Sequence, residues 1–263
     1  MKNSKSAFGI LLLLLSCAGV LAQEEVRIQD PGNHLSKKEK RTFERAISYE
    51  AAFYNRIFSD KKISFSDVKL TIIHNHIDFV LYLRSLGQAV PKNSPGVYLP
   101  SIRELIVCSD KKFKKGFTKI TCHELSHAFL HLHSGDKNIP AWLNEGLAVY
   151  LQEMMFDRKK VKHRINNHYI ARVKTLIELK DLNLSELIAW NYQKFSTESF
   201  AMEGYGYATG YCMTLFLMQR DEDSAIAIFR NLVGERTTVE VFDEFYAGGF
   251  GQFEKDFTEY FGK

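Results

Sequence analysis

The sequence predicts an α+β protein: a small mixed α/β lobe with a sheet packed on a buried helix, followed by an all-helical lobe. Three observations carry that expectation. The β-rich runs VKLTIIH (68–74) and ELIVC (104–108) both fall in the first half of the chain. From Thr118 onward, apolar residues recur at helical spacing almost without a break. No internal repeat or low-complexity linker separates the halves.

The elements follow in order. Residues 1–22 read as an export signal: Lys2 and Lys5, then the apolar run Ala7–Leu15, then Val20-Leu21-Ala22 at a peptidase-like spacing. A competing reading takes Leu14-Leu15-Ser16-Cys17 as a lipobox with a lipid anchor at Cys17. Either way the expected location is outside the cytoplasm, periplasmic, secreted or on the cell envelope. Residues 23–263 then form one domain, with 23–133 as the α/β lobe and 134–263 as the helical lobe. Ser36-Lys-Lys-Glu39 is a capping box, and it introduces a helix with apolar residues at Phe43, Ile47 and Phe53 or Tyr54. A strand is expected over 68–74, a short helix over 78–86 stopped by Gly87, an extended piece over 97–99 and a second strand over 104–108. The basic run from Lys111 to Lys119 reads as solvated surface. Helices are expected at about 118–133, capped by Thr118, and at about 141–156, 160–180, 205–220, 222–233 and 250–262.

Composition bounds the function. Loss of the leader removes Lys2 and Lys5 and no acid, so the net charge drops by two from +4, which argues against a nucleic-acid partner. Cys108, Cys122 and Cys212 are odd in number and contain no CxxC, so three buried free thiols are expected rather than a disulfide scaffold. No stretch after the leader is long and apolar enough to span a bilayer.

The chemistry concentrates in HELSHAFLHLH, His123 to His133. On an α-helix, residues i and i+4 share a face, so His123 and His127 can reach one ion. Glu124 lies about 100° round the helix and aims beside that ion, where an attacking water would sit. Nitrogen donors of this kind favour one Zn2+ per chain, which leaves a third ligand to be found. His133 has the spacing of a metzincin third histidine, but Leu130 stands where that pattern has its helix-breaking glycine. A continuing helix carries His133 about 9 Å along the axis and away. His131 suits a supporting or core role. Glu145, in IPAWLNEGLAVY, is the stronger candidate. An acid among Trp142, Leu143, Ala148 and Val149 is costly to bury without a partner. The short segment from Ser134 to Ile139 can fold its helix back on the first, and Gly146 permits another element to approach closely. His74, His76, His163 and His168 read as surface residues, and Phe242, Phe245, Phe250, Phe253 and Phe257 as core packing.

HELSH followed by WLNEGLAVY resembles the gluzincin zinc metallopeptidases, the thermolysin and aminopeptidase-N-like superfamily, most closely exported bacterial members with a W-L-x-E-G-x-A motif. The likeness covers roughly residues 68–155. It implies a zincin-like fold, zinc held by His123, His127 and Glu145, and Glu124 as the catalytic acid/base. It also implies that Tyr207, in Tyr207-Ala-Thr-Gly210, donates to the oxyanion, with Tyr205 as the fallback. The strand at 104–108 would be the sheet edge that pairs with an extended peptide or protein substrate. No Gly-x-Met-Glu-Asn stretch is present, so endopeptidase action is expected over aminopeptidase action. Val149 replaces the aspartate that thermolysin carries one turn after its glutamate ligand, which leaves the partners of the two histidines unassigned. The competing expectations are a metzincin-like site that uses His133, and a non-catalytic zinc-binding envelope protein.

Overall fold

The computed structural model describes residues 27–33, 35–58, 68–88, 95–114, 116–156, 160–202 and 204–263. Residues 1–22, read above as an export signal, and with them Cys17, lie outside the described residues. The front lobe runs β1 (Arg27–Gln29), α1 (Lys37–Ile57), β2 (Lys69–Ile73), α2 (His76–Ser85), β3 (Gly96–Leu99), β4 (Glu104–Cys108) and α3 (Phe117–Ser134). Behind it come α4 (Ala141–Gln152), β5 (Met154–Phe156), β6 (Val161–His163), α5 (Asn167–Glu178), α6 (Leu184–Leu187), α7 (Tyr192–Ala201), α8 (Tyr205–Arg220), α9 (Glu222–Asn231), α10 (Thr238–Phe245) and α11 (Gly249–Phe261). The architecture is α+β as expected, a four-stranded sheet followed by a mainly helical part.

The sheet has the order β1-β2-β4-β3, with β1, β2 and β4 parallel and β3 antiparallel at the edge. Every residue of β4 is buried because both its faces are covered. Successive side chains of a strand point to opposite faces. Leu105 and Val107 accordingly join the main core, whereas Ile106 and Cys108 pack under α2 with Phe79 and Leu83. The expected substrate edge is therefore corrected: β3 pairs along β4 and takes the edge position itself.

Local signals set several boundaries. The Ser36–Glu39 capping box closes in both directions at the start of α1. Gly87 adopts φ +71° after α2, with its N–H on the Arg84 carbonyl and that of Gln88 on Leu83. This paired arrangement satisfies the last carbonyls of the helix. Thr118 does not cap α3, since the N-cap is Gly116 and no side chain caps it.

The rear lobe departs from the expectation in one place. The ends of the helices expected at 141–156 and 160–180 are instead the two strands of a hairpin, β5 and β6. Three-residue strands are too short to show period-two alternation. Buried along its whole length from Tyr205 to Met218 except at Tyr207, α8 is the axis of this lobe. It crosses α4 at two glycines: a Cβ on Gly146 would stand 2.6 Å from the Gly210 carbonyl oxygen, and one on Gly210 would stand 2.9 Å from that of Trp142. Gly146 thus admits a close neighbour, and that neighbour is α8. The phenylalanines of α10 and α11 pack as core, with Phe242 and Phe253 centroids 4.6 Å apart. Cys108, Cys122 and Cys212 are free and buried. No helix among the described residues is long and apolar enough to cross a membrane.

Candidate metal centre

His123 and His127 stand one turn apart on α3, and their Nε2 atoms face each other at 3.1 Å. The turn from Ser134 to Ala141 folds α4 back against α3 and delivers the Glu145 carboxylate to the same point. Its Oε2 lies 3.4 Å from the Nε2 of His123 and 3.8 Å from that of His127. A tetrahedral ion with bonds of about 2.0–2.2 Å holds neighbouring donors about 3.3–3.6 Å apart. The three observed separations bracket that range. Glu145 is 3% exposed, and its Oε2 is buried without a hydrogen bond. A carboxylate oxygen buried in this way needs a cation or a donor. The three side chains form a cluster able to hold a metal ion.

Each ligand has a distinct outer environment. The Nδ1 of His127 lies 2.9 Å from the Oδ1 of Asn144. An amide oxygen only accepts, so Nδ1 carries the proton and Nε2 offers its lone pair to the cluster. The Nδ1 of His123 is buried without a hydrogen bond. Glu145 accepts on its other oxygen, Oε1, from the Tyr192 hydroxyl at 2.6 Å. Burial alone would push the Glu145 carboxyl up; the two imidazoles and the Tyr192 hydrogen bond outweigh it and bring it down to about 2. For His123, burial favours the neutral ring, but the carboxylates of Glu145 and Glu124 reverse the effect and raise its pKa.

Glu124 is 8% exposed and lies beneath the edge strand: a Cβ on Gly96 would fall 3.0 Å from its Cγ. Only a glycine lets β3 pass so close. The strand is fastened further along by Tyr98, whose hydroxyl lies 2.9 Å from the Nδ1 of His131. His131 therefore has a supporting role, holding the edge strand on α3.

Tyr207 is partly buried on the first turn of α8. Its phenol is raised by burial first and then by the Glu145 charge. Tyr205 is committed elsewhere: its hydroxyl accepts from the Asn183 N–H and donates to the Asn183 carbonyl oxygen. His133 stays on the unbroken α3, with its ring 6.2 Å from that of Tyr54 and 5.1 Å from that of Phe58, and it is not part of the cluster.

Three of the four histidines expected at the surface are not simple surface residues. His74 bridges the Ser109 Oγ at 2.5 Å and the Asp30 Oδ1 at 3.0 Å, so Asp30, His74 and Ser109 tie together the ends of the parallel strands β1, β2 and β4. His76 lies over Phe113, with ring centroids 5.5 Å apart. His163 is stacked between Tyr150 and Tyr211, at 4.2 and 5.9 Å, and burial pulls its pKa down to about 4. His168 is exposed, as expected. Lys119 is also corrected: it is only partly exposed and donates to Glu153 at 2.6 Å.

Asn144 and Tyr192 were not legible beforehand. Asn144 directly precedes Glu145, but adjacency in sequence does not say which way a carboxamide points. Tyr192 belongs to α7, where only Phe195 and Ser199 are buried. That leaves no apolar period from which to read a helix.

A family described as a protein of unknown function (DUF1570) matches residues 118–239, a span that contains His123, Glu124, His127, Glu145, Tyr192 and Tyr207. No curated protein matches the chain.

Proposed function

We propose that this chain is a zinc-dependent endopeptidase of gluzincin type that acts outside the cytoplasm. The observation that carries the reading is the convergence of His123, His127 and the buried, otherwise unsatisfied Glu145 oxygen on one point, with Glu124 on the adjoining face of α3. A purely structural ion would give this second acid, Glu124, no task. Two imidazoles and one carboxylate are the donor set of catalytic zinc sites, which keep one position open.

Zinc, when bound, supplies Lewis acidity that polarises a carbonyl and lowers the pKa of water to about 7. The remaining steps fall to side chains. Glu124 takes the proton from the attacking water and later delivers it to the leaving amine. Asn144 holds His127 in the tautomer that presents Nε2. The Tyr207 phenol is kept protonated by its surroundings and donates to the oxygen on which negative charge develops. An extended peptide would run along β3, the edge strand over Glu124.

The test is metal analysis of the purified protein paired with a peptide-hydrolysis assay with and without chelator. The expected result is about one zinc per chain and activity lost on chelation. Glu124→Gln should lower turnover by about 10²- to 10⁴-fold, with zinc content unchanged. Full activity in that variant would refute the role given to Glu124.

A further inference from the structure

Two phenols approach the donor cluster, and they are engaged differently. Tyr207 makes no hydrogen bond among the described residues. Tyr192, on the first turn of α7, donates to Glu145 Oε1 at 2.6 Å, the length of a charge-assisted O–H···O⁻ bond. The same carboxylate turns Oε2 toward the imidazoles. We propose that Tyr192 is a positioning residue for the metal ligand Glu145. Its phenol occupies one carboxylate oxygen, fixes the plane of the group, and leaves the other oxygen as a single donor.

The alternative is that Tyr192 fills space, and its surroundings argue against that. The residue is 55% exposed, so its ring is not a core element, and only its hydroxyl reaches the site. The buried residues of α7 are Phe195 and Ser199. The Tyr192–Glu145 bond ties the first turn of α7 to α4, beside the Asn191 cap and the Lys194–Glu186 pair. Binding free energies are reciprocal, so a metal that orders Glu145 also tightens α7.

The inference rests on the proposed metal site. Its test is the zinc dissociation constant, measured by competition with a chromophoric chelator for the unmutated protein, Tyr192→Phe and Tyr207→Phe. Loss of a hydrogen bond to a ligand should weaken zinc binding by about 10- to 100-fold in Tyr192→Phe, and Tyr207→Phe should stay within about threefold of the parent, a margin well below that effect. Parent-like affinity in Tyr192→Phe would overturn the role of Tyr192 while leaving the metal site intact. An unmutated protein that binds no zinc would instead sink the site itself. Amide exchange gives a second measurement that needs no variant: zinc should slow exchange over residues 192–201, and unchanged rates in zinc-loaded protein count against the coupling.

Discussion

α4 carries two buried carboxylates, one within the helix and one just past its end, and they are treated in opposite ways. Glu153 is 1% exposed, and both its oxygens are satisfied: Lys119 and Asn166 donate to Oε1, and Arg164 donates twice to Oε2. Glu145 is 3% exposed, yet one oxygen accepts only the Tyr192 phenol and the other has no hydrogen bond at all. The first acid is compensated by permanent cations from α3 and from the segment after β6. The second faces two imidazoles, whose charge depends on pH or on a bound ion. A carboxylate neutralised by Lys and Arg is finished as a structural tie. One left facing neutral rings is incomplete, and the incompleteness marks the site.

The contrast is broken most directly by removing each acid in turn. Glu145→Ala should weaken zinc binding by about 10³-fold, taking one ligand of three to supply about 4 kcal/mol. Its metal-free stability should fall by less than that of Glu153→Ala, because an unsatisfied buried oxygen leaves with it. Glu153→Ala should do the reverse. Zinc affinity should remain within about tenfold, while stability falls by about 2 kcal/mol once the half-exposed Lys119 and Arg164 are discounted for rehydration. That corresponds to a melting temperature lower by about 4–8 °C. Equal losses of zinc affinity in the two variants would erase the distinction.

A smaller effect tests how α4 is held. Gly146→Ala gains about 1 kcal/mol of helix propensity. It also drives a methyl against the Gly210 carbonyl oxygen and to 2.8 Å from Thr214 Oγ1. Overpacking against backbone costs about 1–3 kcal/mol or more, so a net loss is expected, together with displacement of Tyr207 from the ligands. Thermal unfolding that matches or exceeds the parent would show that the crossing is looser than drawn.

The smallest effect is in acid. Burial would raise the Glu153 carboxyl, but Lys119 and Arg164 hold it below the ordinary value of 4.5. A group depressed in the fold stabilises above its unfolded pKa, and that contribution disappears as pH falls through the folded value. The urea midpoint of Glu153→Gln should therefore fall less steeply from pH 5 to pH 3 than that of the parent. Parallel slopes would remove Glu153 from the acid response.

Legibility from sequence followed the range of the interaction. The His123–His127 pair could be read because one helical turn fixes it, and Glu145 because an acid among Trp142, Leu143 and Ala148 has to be accounted for. The capping box and the Gly87 stop could be read for the same local reason. The Lys119–Glu153 pair joins residues 34 apart, so a basic run looked solvated. The parallel strand ends that bind His74 between Asp30 and Ser109 meet only in the folded sheet. Tyr192 reaches Glu145 across 47 residues, from a helix whose exposed surface hides its period.

The donors and the phenols also differ in where they lie along the chain. His123, His127, Asn144 and Glu145 all sit on one helical hairpin with a six-residue turn, from Gly135 to Pro140. Short loops cost little entropy to close, so the donors themselves need little beyond this hairpin to meet. Tyr192 and Tyr207 arrive from later segments. Substitution of Tyr207 should therefore silence the proposed chemistry while the hairpin and Tyr192 go on holding the ion, so that loss of hydrolysis need not bring loss of the metal with it.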